Sequence, residues 1–329
     1  MADSLYRPVS IGKLNLAGNL FLAPLAGFTD RAFRGTAVSW DADLTYTEMI
    51  SCEAVFRDNK KTLDMMEKDS REDIFAIQVF AGALEPAEKS VEKVLKYSPA
   101  LIDLNCGCPV PKIIKSGAGS ALMKDPSMVA SLVKTLKTGH DTPVTVKIRT
   151  GWDAHSLNYR EVAEAAVDAG AAAVAIHGRT RSQGYSGTAD WAPLKELTET
   201  LPVPVFGSGD LFTPQDAKRM LEETGCAGLM FARGAIGNPF IFRQTRHLLQ
   251  TGEEMAPLTA ADRLNTALEQ YRHSLTYLDE LRASKEIRKH LCAYSKGIPG
   301  SSALRNELVH AEKAEVFEKL ILDFLSRLS

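Results

Sequence analysis

Residues 101–112 read LIDLNCGCPVPK, which sets Cys106 and Cys108 two positions apart, directly after an apolar run and directly before Pro109. Four chemistries are open to such a pair: metal ligation, redox exchange, buried packing, or one working thiol beside an inert one. Structural zinc sites space their cysteines by roughly two to four residues and need a second pair, and Cys52, Cys226 and Cys292 do not form one. A redox pair normally reads C-x-x-C. Two readings remain for Cys108. It is either a small buried hydrophobe or a thiol presented over a pocket by the stiff turn between Gly107 and Pro109. The surrounding elements have to decide.

Short apolar runs recur along the chain, each followed by a Gly/Pro/polar turn and a helical pattern. They are Leu20–Ala23, Leu44–Thr47, Phe75–Phe80, Leu101–Leu104, Pro143–Ile148, Ala172–Ile176, Val203–Phe206 and Ala227–Phe231. Helix starts are marked by Thr29-Asp30, Asp125-Pro126 and Thr213-Pro214. Strands alternating with helices predict parallel βαβ units, and eight of them in roughly 245 residues predict a (β/α)8 TIM barrel. A doubly wound open sheet is the alternative. The strand signal stops after about Leu249. TGEEMAPLTAAD then reads as a linker, and the remainder is helical in pattern, as in AEVFEKLILDFLSRL. The expected organisation is an α/β barrel over residues 1–250 and a small all-helical C-terminal domain over 251–329.

Barrel strands alternate their side chains between interior and helix layer, and their C-terminal ends carry the chemistry. In PVTVKIR, Val144, Val146 and Ile148 oppose Thr145, Lys147 and Arg149; in IFAIQVF, Phe75, Ile77 and Val79 oppose Ala76 and Gln78. The same parity sets Asp103 and Asn105, and Ala173, Ala175 and His177, on the interior face. Gln78, Asn105, Lys147, Arg149 and His177 are therefore expected to converge near the strand tops. Any one of them could be structural, a lysine paired with Asp103 or a hydrogen-bonded core histidine. Their shared face and shared end favour a site, since an uncompensated buried charge is costly. The last two strands end in FGSGD and FARGAIGNP, whose glycines let backbone N–H groups approach an anion, with Arg233 beside them. APLAGFTD, residues 23–30, closes the opposite side. A phosphorylated planar cofactor fits such a pocket, and FMN is the candidate: a lysine can support a reduced flavin and an amide can read its edge.

The 329 residues are 45% hydrophobic with a formal charge of −2, so any grip on nucleic acid must be local. Five irregularly spaced cysteines suit a reducing cytoplasm rather than a disulfide framework. The first residues lack an apolar core of signal-peptide length, and no run is long enough to span a membrane. No metal and no obligate protein partner is implied, and a monomer is expected. Between Arg282 and Arg305 six Lys/Arg stand against one Glu, with Lys285, Arg288 or Lys289, Cys292 and Lys296 on one helical stripe. That stripe is a solvated face or an RNA-binding one. Three rival functions stay open: an FMN barrel reducing or oxidising a free pyrimidine, of the dihydroorotate dehydrogenase kind; a Schiff-base aldolase using Lys147; and a non-enzymatic RNA-binding module.

The set APLAGFTDRAFR, IQVFAG, DLNCGCP, GSAL, VKIRTGW, IHGRTR, GSGDL, ARGAIGNPFIF and RKHL, in this order along nearly the whole chain, resembles the bacterial tRNA-dihydrouridine synthases, the B-type branch above all. The resemblance implies a (β/α)8 barrel with a helical domain that helps hold tRNA. It implies FMN and NADPH, and reduction of the C5=C6 bond of selected uridines in tRNA, with hydride from flavin N5 to C6 and a proton from Cys108 to C5. By position it assigns Pro24, Leu25, Ala26, Gln78, Lys147, His177, Ser208, Gly209, Asp210, Ala232 and Arg233 to the cofactor. It assigns Asn105, Arg149, Arg179, Lys285, Arg288 and Lys289 to the substrate. Ser208 and Ala232 stand where the family pattern has Asn and Gly.

Overall fold

The computed structural model describes residues 4–328. The extreme ends of the two expected units, residues 1–3 and 329, lie outside the described residues. An antiparallel hairpin comes first, β1 (Val9–Ile11) with β2 (Leu14–Leu16). Then follow β3 (Leu20–Leu22), β4 (Leu44–Thr45), the short β5 (Ile50–Ser51), β6 (Ala76–Phe80), β7 (Leu101–Asn105), β8 (Val144–Arg149), β9 (Val174–His177), β10 (Val205–Ser208) and β11 (Gly228–Phe231). Spatial order runs β4-β3-β11-β10-β9-β8-β7-β6-β5, all parallel. A parallel bridge from Tyr46, just past β4, to Ala76 of β6 joins the ends of this order. The sheet therefore closes on itself, and the fold is a TIM barrel rather than an open doubly wound sheet.

Closure explains the two faces of each strand. Ile77, Val79, Ile102, Leu104, Val146, Ile148, Val174 and Ile176 join the core between strands and helices. Phe21, Leu44, Tyr46, Ala76, Ala173, Ala175, Phe206 and Met230 fill the interior. Val9, Ile11 and Leu16 of the hairpin pack with that interior set, so the β1–β2 hairpin plugs the N-terminal end of the barrel. The interior is thus solid below and open only at the C-terminal ends of the strands, where the polar residues of the same parity lie.

Local signals set the helix starts. Asp30 caps the helix Arg31–Ser39 by accepting the Phe33 N–H, and Asp125 caps Pro126–Lys137 by accepting that of Met128. Thr213 and Asp216 form a reciprocal capping box on Pro214–Thr224. Each such cap is worth about 1 kcal/mol.

Beyond the barrel, the helices Ala260–Ser274, Glu280–Tyr294, Ser301–Leu308 and Ala314–Ser326 surround a second apolar cluster. That cluster includes Phe240, at the start of the last barrel helix, whose ring lies edge-on to Trp40 at 4.5 Å and faces Tyr294 at 6.3 Å. Two histidines cross from the helical unit to barrel carboxylates. His290 Nε2 lies 3.2 Å from Asp30 Oδ2, and His273 Nε2 lies 2.5 Å from Asp69 Oδ2. Gly237, at φ +66°, lets the barrel backbone touch the helix Glu280–Tyr294: a Cβ there would stand 2.4 Å from the Ala293 carbonyl carbon. Among the described residues no helix is long and apolar enough to cross a membrane.

Candidate active site

A cavity of about 480 Å³ opens at the C-terminal ends of the strands. Its wall includes Pro24, Leu25, Ala26, Gln78, Asn105, Cys108, Lys147, Arg149, His177, Ser208, Gly209, Asp210, Ala232 and Arg233. The strand parity read from the sequence gathers Gln78, Asn105, Lys147, Arg149 and His177, and the rest lie at or just beyond the ends of their strands. Pairing sets Asn105 beside Lys147, Arg149 beside His177, and His177 beside Ser208 on neighbouring strands.

The floor is a continuous hydrogen-bonded line. Thr145 Oγ1 donates to Asp103 Oδ1 at 2.6 Å, and Gln78 Nε2 donates to Asp103 Oδ2 at 2.7 Å. Asn105 Nδ2 donates to Gln78 Oε1 at 2.7 Å, while the N–H groups of Gly107 and Cys108 donate to Asn105 Oδ1 at 3.1 and 2.9 Å. Burial raises the Asp103 carboxyl to about 6, against the opposing pull of these donors. Asp103 is thus bound to Gln78 and Thr145, not ion-paired to an inward lysine.

The Cys108 turn is braced on every side. Its carbonyl accepts Ser120 N–H at 3.0 Å and Ser120 Oγ at 2.9 Å. Arg149 Nε donates to the Gly107 carbonyl at 2.7 Å, and its Nη1 to the Thr180 and Gly184 carbonyls at 3.0 and 3.2 Å. Gly119, at φ +61°, passes so close that a Cβ would lie 2.9 Å from the Cys108 carbonyl oxygen and 3.2 Å from Cys108 Cβ. Burial pushes the Cys108 thiol up, and a backbone N–H and the Arg149 charge only partly oppose this. The group is held neutral and partly open to the cavity. Cys106 is fully buried among strand and helix side chains, its thiol pushed further up by burial and the Asp103 charge.

Lys147 reaches the cavity with no hydrogen bond or ion pair to the described residues. Burial, then the Arg149 charge, lowers it to about 8, with Asp103 pulling the other way. Burial and the cations Lys147, Arg149, Arg179 and Arg233 drive His177 far below its ordinary value, so the ring is neutral. Its buried Nε2 has no partner. An unpaired ammonium and an orphaned imidazole nitrogen facing one cavity are the donor set that a polar, anionic ring system would satisfy.

Beyond the end of β10, next to His177, Asp210, at φ +55°, is the hub. Its carboxylate accepts Arg179 Nη1 and Nη2 at 2.8 and 2.7 Å, Arg233 Nη2 at 3.2 Å and the Ala189 N–H at 2.8 Å. Arg233 also lies over the Tyr185 ring at 4.2 Å and the Phe212 ring at 5.3 Å.

Some sequence expectations change here. Arg179, expected at the substrate, is only 2% exposed, is absent from the cavity wall, and spends its guanidinium on Asp210 and on the Ser186 and Gly187 carbonyls. Arg288 turns away from the mouth and donates to the Ala311 carbonyl from Nε and Nη2 at 3.1 and 2.7 Å. Lys285 is exposed, and Lys289 lies 5.6 Å from the Phe28 ring at the cavity rim. Of the two stripe residues, Arg288 is engaged within the helical unit and Lys289 stands at the cavity rim. Sequence reasoning passed over Glu48, whose carboxylate accepts the Gly27 N–H and fixes the 24–30 loop. It also passed over the lining residues Met49, Tyr185 and Phe212. Tyr185 and Phe212 flank Arg233 only in space, so the sequence carried no signal for them.

Known proteins share this sequence and this fold. Relatives include a probable tRNA-dihydrouridine synthase of Treponema pallidum, 46% identical with 97% of each chain covered. Another is the tRNA-dihydrouridine synthase B of Shewanella oneidensis, 35% identical over 87% of this chain and 89% of that one. Solved structures share the fold at low identity. The old yellow enzyme homologue of Zymomonas mobilis superposes with a TM-score of 0.51 at 13% identity, over 78% of this chain and 95% of that one. Histamine dehydrogenase from Rhizobium sp. 4-9 gives 0.58 at 15% identity, over 83% of this chain and 51% of that one. The family described as dihydrouridine synthase (Dus) matches residues 21–328, and this chain belongs to it.

Proposed function

We propose that the chain is a tRNA-dihydrouridine synthase that uses FMN and NADPH to reduce the C5=C6 bond of selected uridines in tRNA. Residues 1–250 are the catalytic, cofactor-binding unit and 251–329 the tRNA-holding helical unit, acting in the cytoplasm as a monomer without metal. The observation that carries this reading is a neutral thiol, Cys108, on a braced turn over a cavity whose lysine and histidine lack protein partners.

Lys147, His177 and Gln78 would hold the flavin ring, Pro24, Leu25 and Ala26 would pack it, and Ser208, Gly209, Ala232 and Arg233 would take its phosphate arm. A flavin held there would supply the hydride for C6 of the uracil, with NADPH as its source. Asp210 acts through its neighbours, aiming Arg233 and neutralising Arg179. Cys108 donates its proton to C5 as a general acid, a role that requires the thiol and not the thiolate. Asn105 holds the Gly107 and Cys108 N–H groups in line, and Arg149 fixes the turn through the Gly107 carbonyl and would meet the base from the cavity wall. The target base leaves its stack to enter the cavity.

The test is single-turnover reaction of reduced enzyme with unmodified tRNA, with mass mapping of dihydrouridine. Yellow protein that converts uridine in tRNA supports the reading. Colourless protein that takes up no FMN, or reduction of free pyrimidine in preference to tRNA, overturns it.

A further inference from the structure

Just past the C-terminal end of β8, Trp152 carries two cations on one indole: Lys124 Nζ lies 3.5 Å and Arg181 Cζ 4.6 Å from the ring centroid. The three residues come from three segments of the barrel rim. Lys124 ends the helical turn Gly119–Lys124, whose Ser120 holds the Cys108 carbonyl. Trp152 follows β8 and Arg181 follows β9. The last two segments are fastened together, Arg181 N–H donating to the Gly151 carbonyl at 2.9 Å and Ser182 N–H and Oγ to that of Trp152 at 2.9 and 3.0 Å.

Neither cation has an acid partner among the described residues. The acids next in sequence are turned elsewhere. Asp125 accepts the Met128 N–H at 3.0 Å and the Ser127 hydroxyl at 2.6 Å, and Asp153 accepts the His155 N–H at 3.0 Å. Arg181 Nε is shielded from solvent and has no hydrogen-bond partner. Two like charges drawn to one ring repel each other. An anion bridging the two side chains removes the repulsion.

The place names the anion. The Lys124 turn buttresses the thiol turn directly, so an RNA strand that delivers a base to Cys108 runs its sugar–phosphate past this rim. The geometry points to a backbone-phosphate site, built from Lys124 and Arg181 on Trp152, that grips the tRNA strand next to the target uridine. It rests on the tRNA reading above. Phosphate contacts of this kind set position and register rather than base identity.

The experiment titrates flavin-loaded enzyme with unmodified tRNA at several salt concentrations, for the parent and for Lys124→Ala, Lys124→Glu and Arg181→Ala, with flavin content and circular dichroism as folding controls. Each Ala variant is expected to bind roughly three- to tenfold more weakly near 0.1 M salt and to flatten the log–log salt slope by about one. Lys124→Glu, at an exposed position, is expected to bind more weakly still. It keeps the test decisive if Arg181→Ala does not fold. Parent-like affinity and slope in both Lys124 variants overturn the site while leaving the enzyme reading intact. A parent that neither binds tRNA nor forms dihydrouridine in it overturns the enzyme reading and the site with it.

Discussion

Asn105 Oδ1 accepts the Cys108 N–H at 2.9 Å while its Nδ2 donates to Gln78 Oε1 at 2.7 Å. One amide thereby ties the thiol turn to the barrel floor. Asn105→Ala releases that tie. We expect the reaction of reduced enzyme with tRNA to slow roughly 10²-fold, as for a reacting group displaced by about 1 Å. The loss should fall on the rate and not on tRNA affinity, which stopped-flow titration separates. A pure affinity loss would assign Asn105 to holding substrate instead.

Cys108→Ala should slow tRNA reduction by roughly two to four orders of magnitude, the worth of a placed general acid. Cys106→Ala should cost about 1 kcal/mol of stability, read by urea unfolding, because it deletes a buried sulfur, and should leave the rate near that of the parent. The pH profile distinguishes acid from nucleophile. A thiol raised above its ordinary value stays protonated at neutral pH, so the single-turnover rate does not climb with pH; Lys147, at about 8, loses its charge first, and the fall begins there before the thiol range is reached. A rate that climbs with pH would mean that the thiolate acts.

Asp103 links the floor to stability. Its folded value of about 6 lies above the unfolded carboxyl value near 3.9. Between those values the native state holds more protons than the unfolded one, so stability falls as pH rises from about 4 to 6. The cost, roughly 3 kcal/mol, is then fully in place at pH 7. Asp103→Asn removes this slope. It also sets an amide against the donors Thr145 and Gln78, which lowers stability at every pH and leaves the slope as the readout. Urea unfolding of both proteins at pH 4 and pH 7 should show the difference moving in the variant's favour. No movement would mean that Asp103 titrates normally.

Asp210→Ala strands the Arg179 guanidinium, buried with 2% of its side chain exposed. An uncompensated buried charge costs several kcal/mol; with Asp210 partly open to solvent, about 2 kcal/mol is expected. Arg233 loses its anchor as well, so flavin retention should weaken, measured by fluorescence of released flavin. Asp210→Asn keeps an acceptor for Arg179 and should fall between. Tight flavin binding in Asp210→Ala would detach Arg233 from the phosphate arm.

On the helical unit, Lys285→Ala with Lys289→Ala should weaken tRNA binding and flatten its salt dependence. Arg288→Ala should instead lower the melting temperature, since its guanidinium serves the Ala311 carbonyl. The reverse pattern would restore Arg288 to the RNA face.

The barrel was legible because a period of two and the β-branched runs survive in sequence: Val146 and Ile148 outward, Thr145 and Lys147 inward. Gln78, Asn105, Lys147, Arg149 and His177 of the cavity wall followed from that parity. What stayed hidden depends on pairs far apart in the chain. Nothing near Arg179 announces that Asp210 will consume it, and a helical wheel cannot separate Arg288 from Lys289 without the Ala311 carbonyl in place. The hairpin plug escaped because its strands are three residues each, too short for a pattern. His273 and His290 read as isolated histidines, yet each finds a carboxylate more than 200 positions away.

Phe240 belongs by sequence to the last barrel helix and by packing to the helical unit. Where the chain could be cut and where the packing could be parted are therefore different places. Truncation near residue 250 would not liberate a working barrel. It would strip Phe240 and Trp40 of their cover, take the His290 ring from Asp30, and remove the Ala293 backbone that lies against Gly237. A chimera that swaps tRNA-holding units between relatives must carry its junction upstream of Gly237 and bring a matching residue at Trp40, or the graft will sit askew on its host.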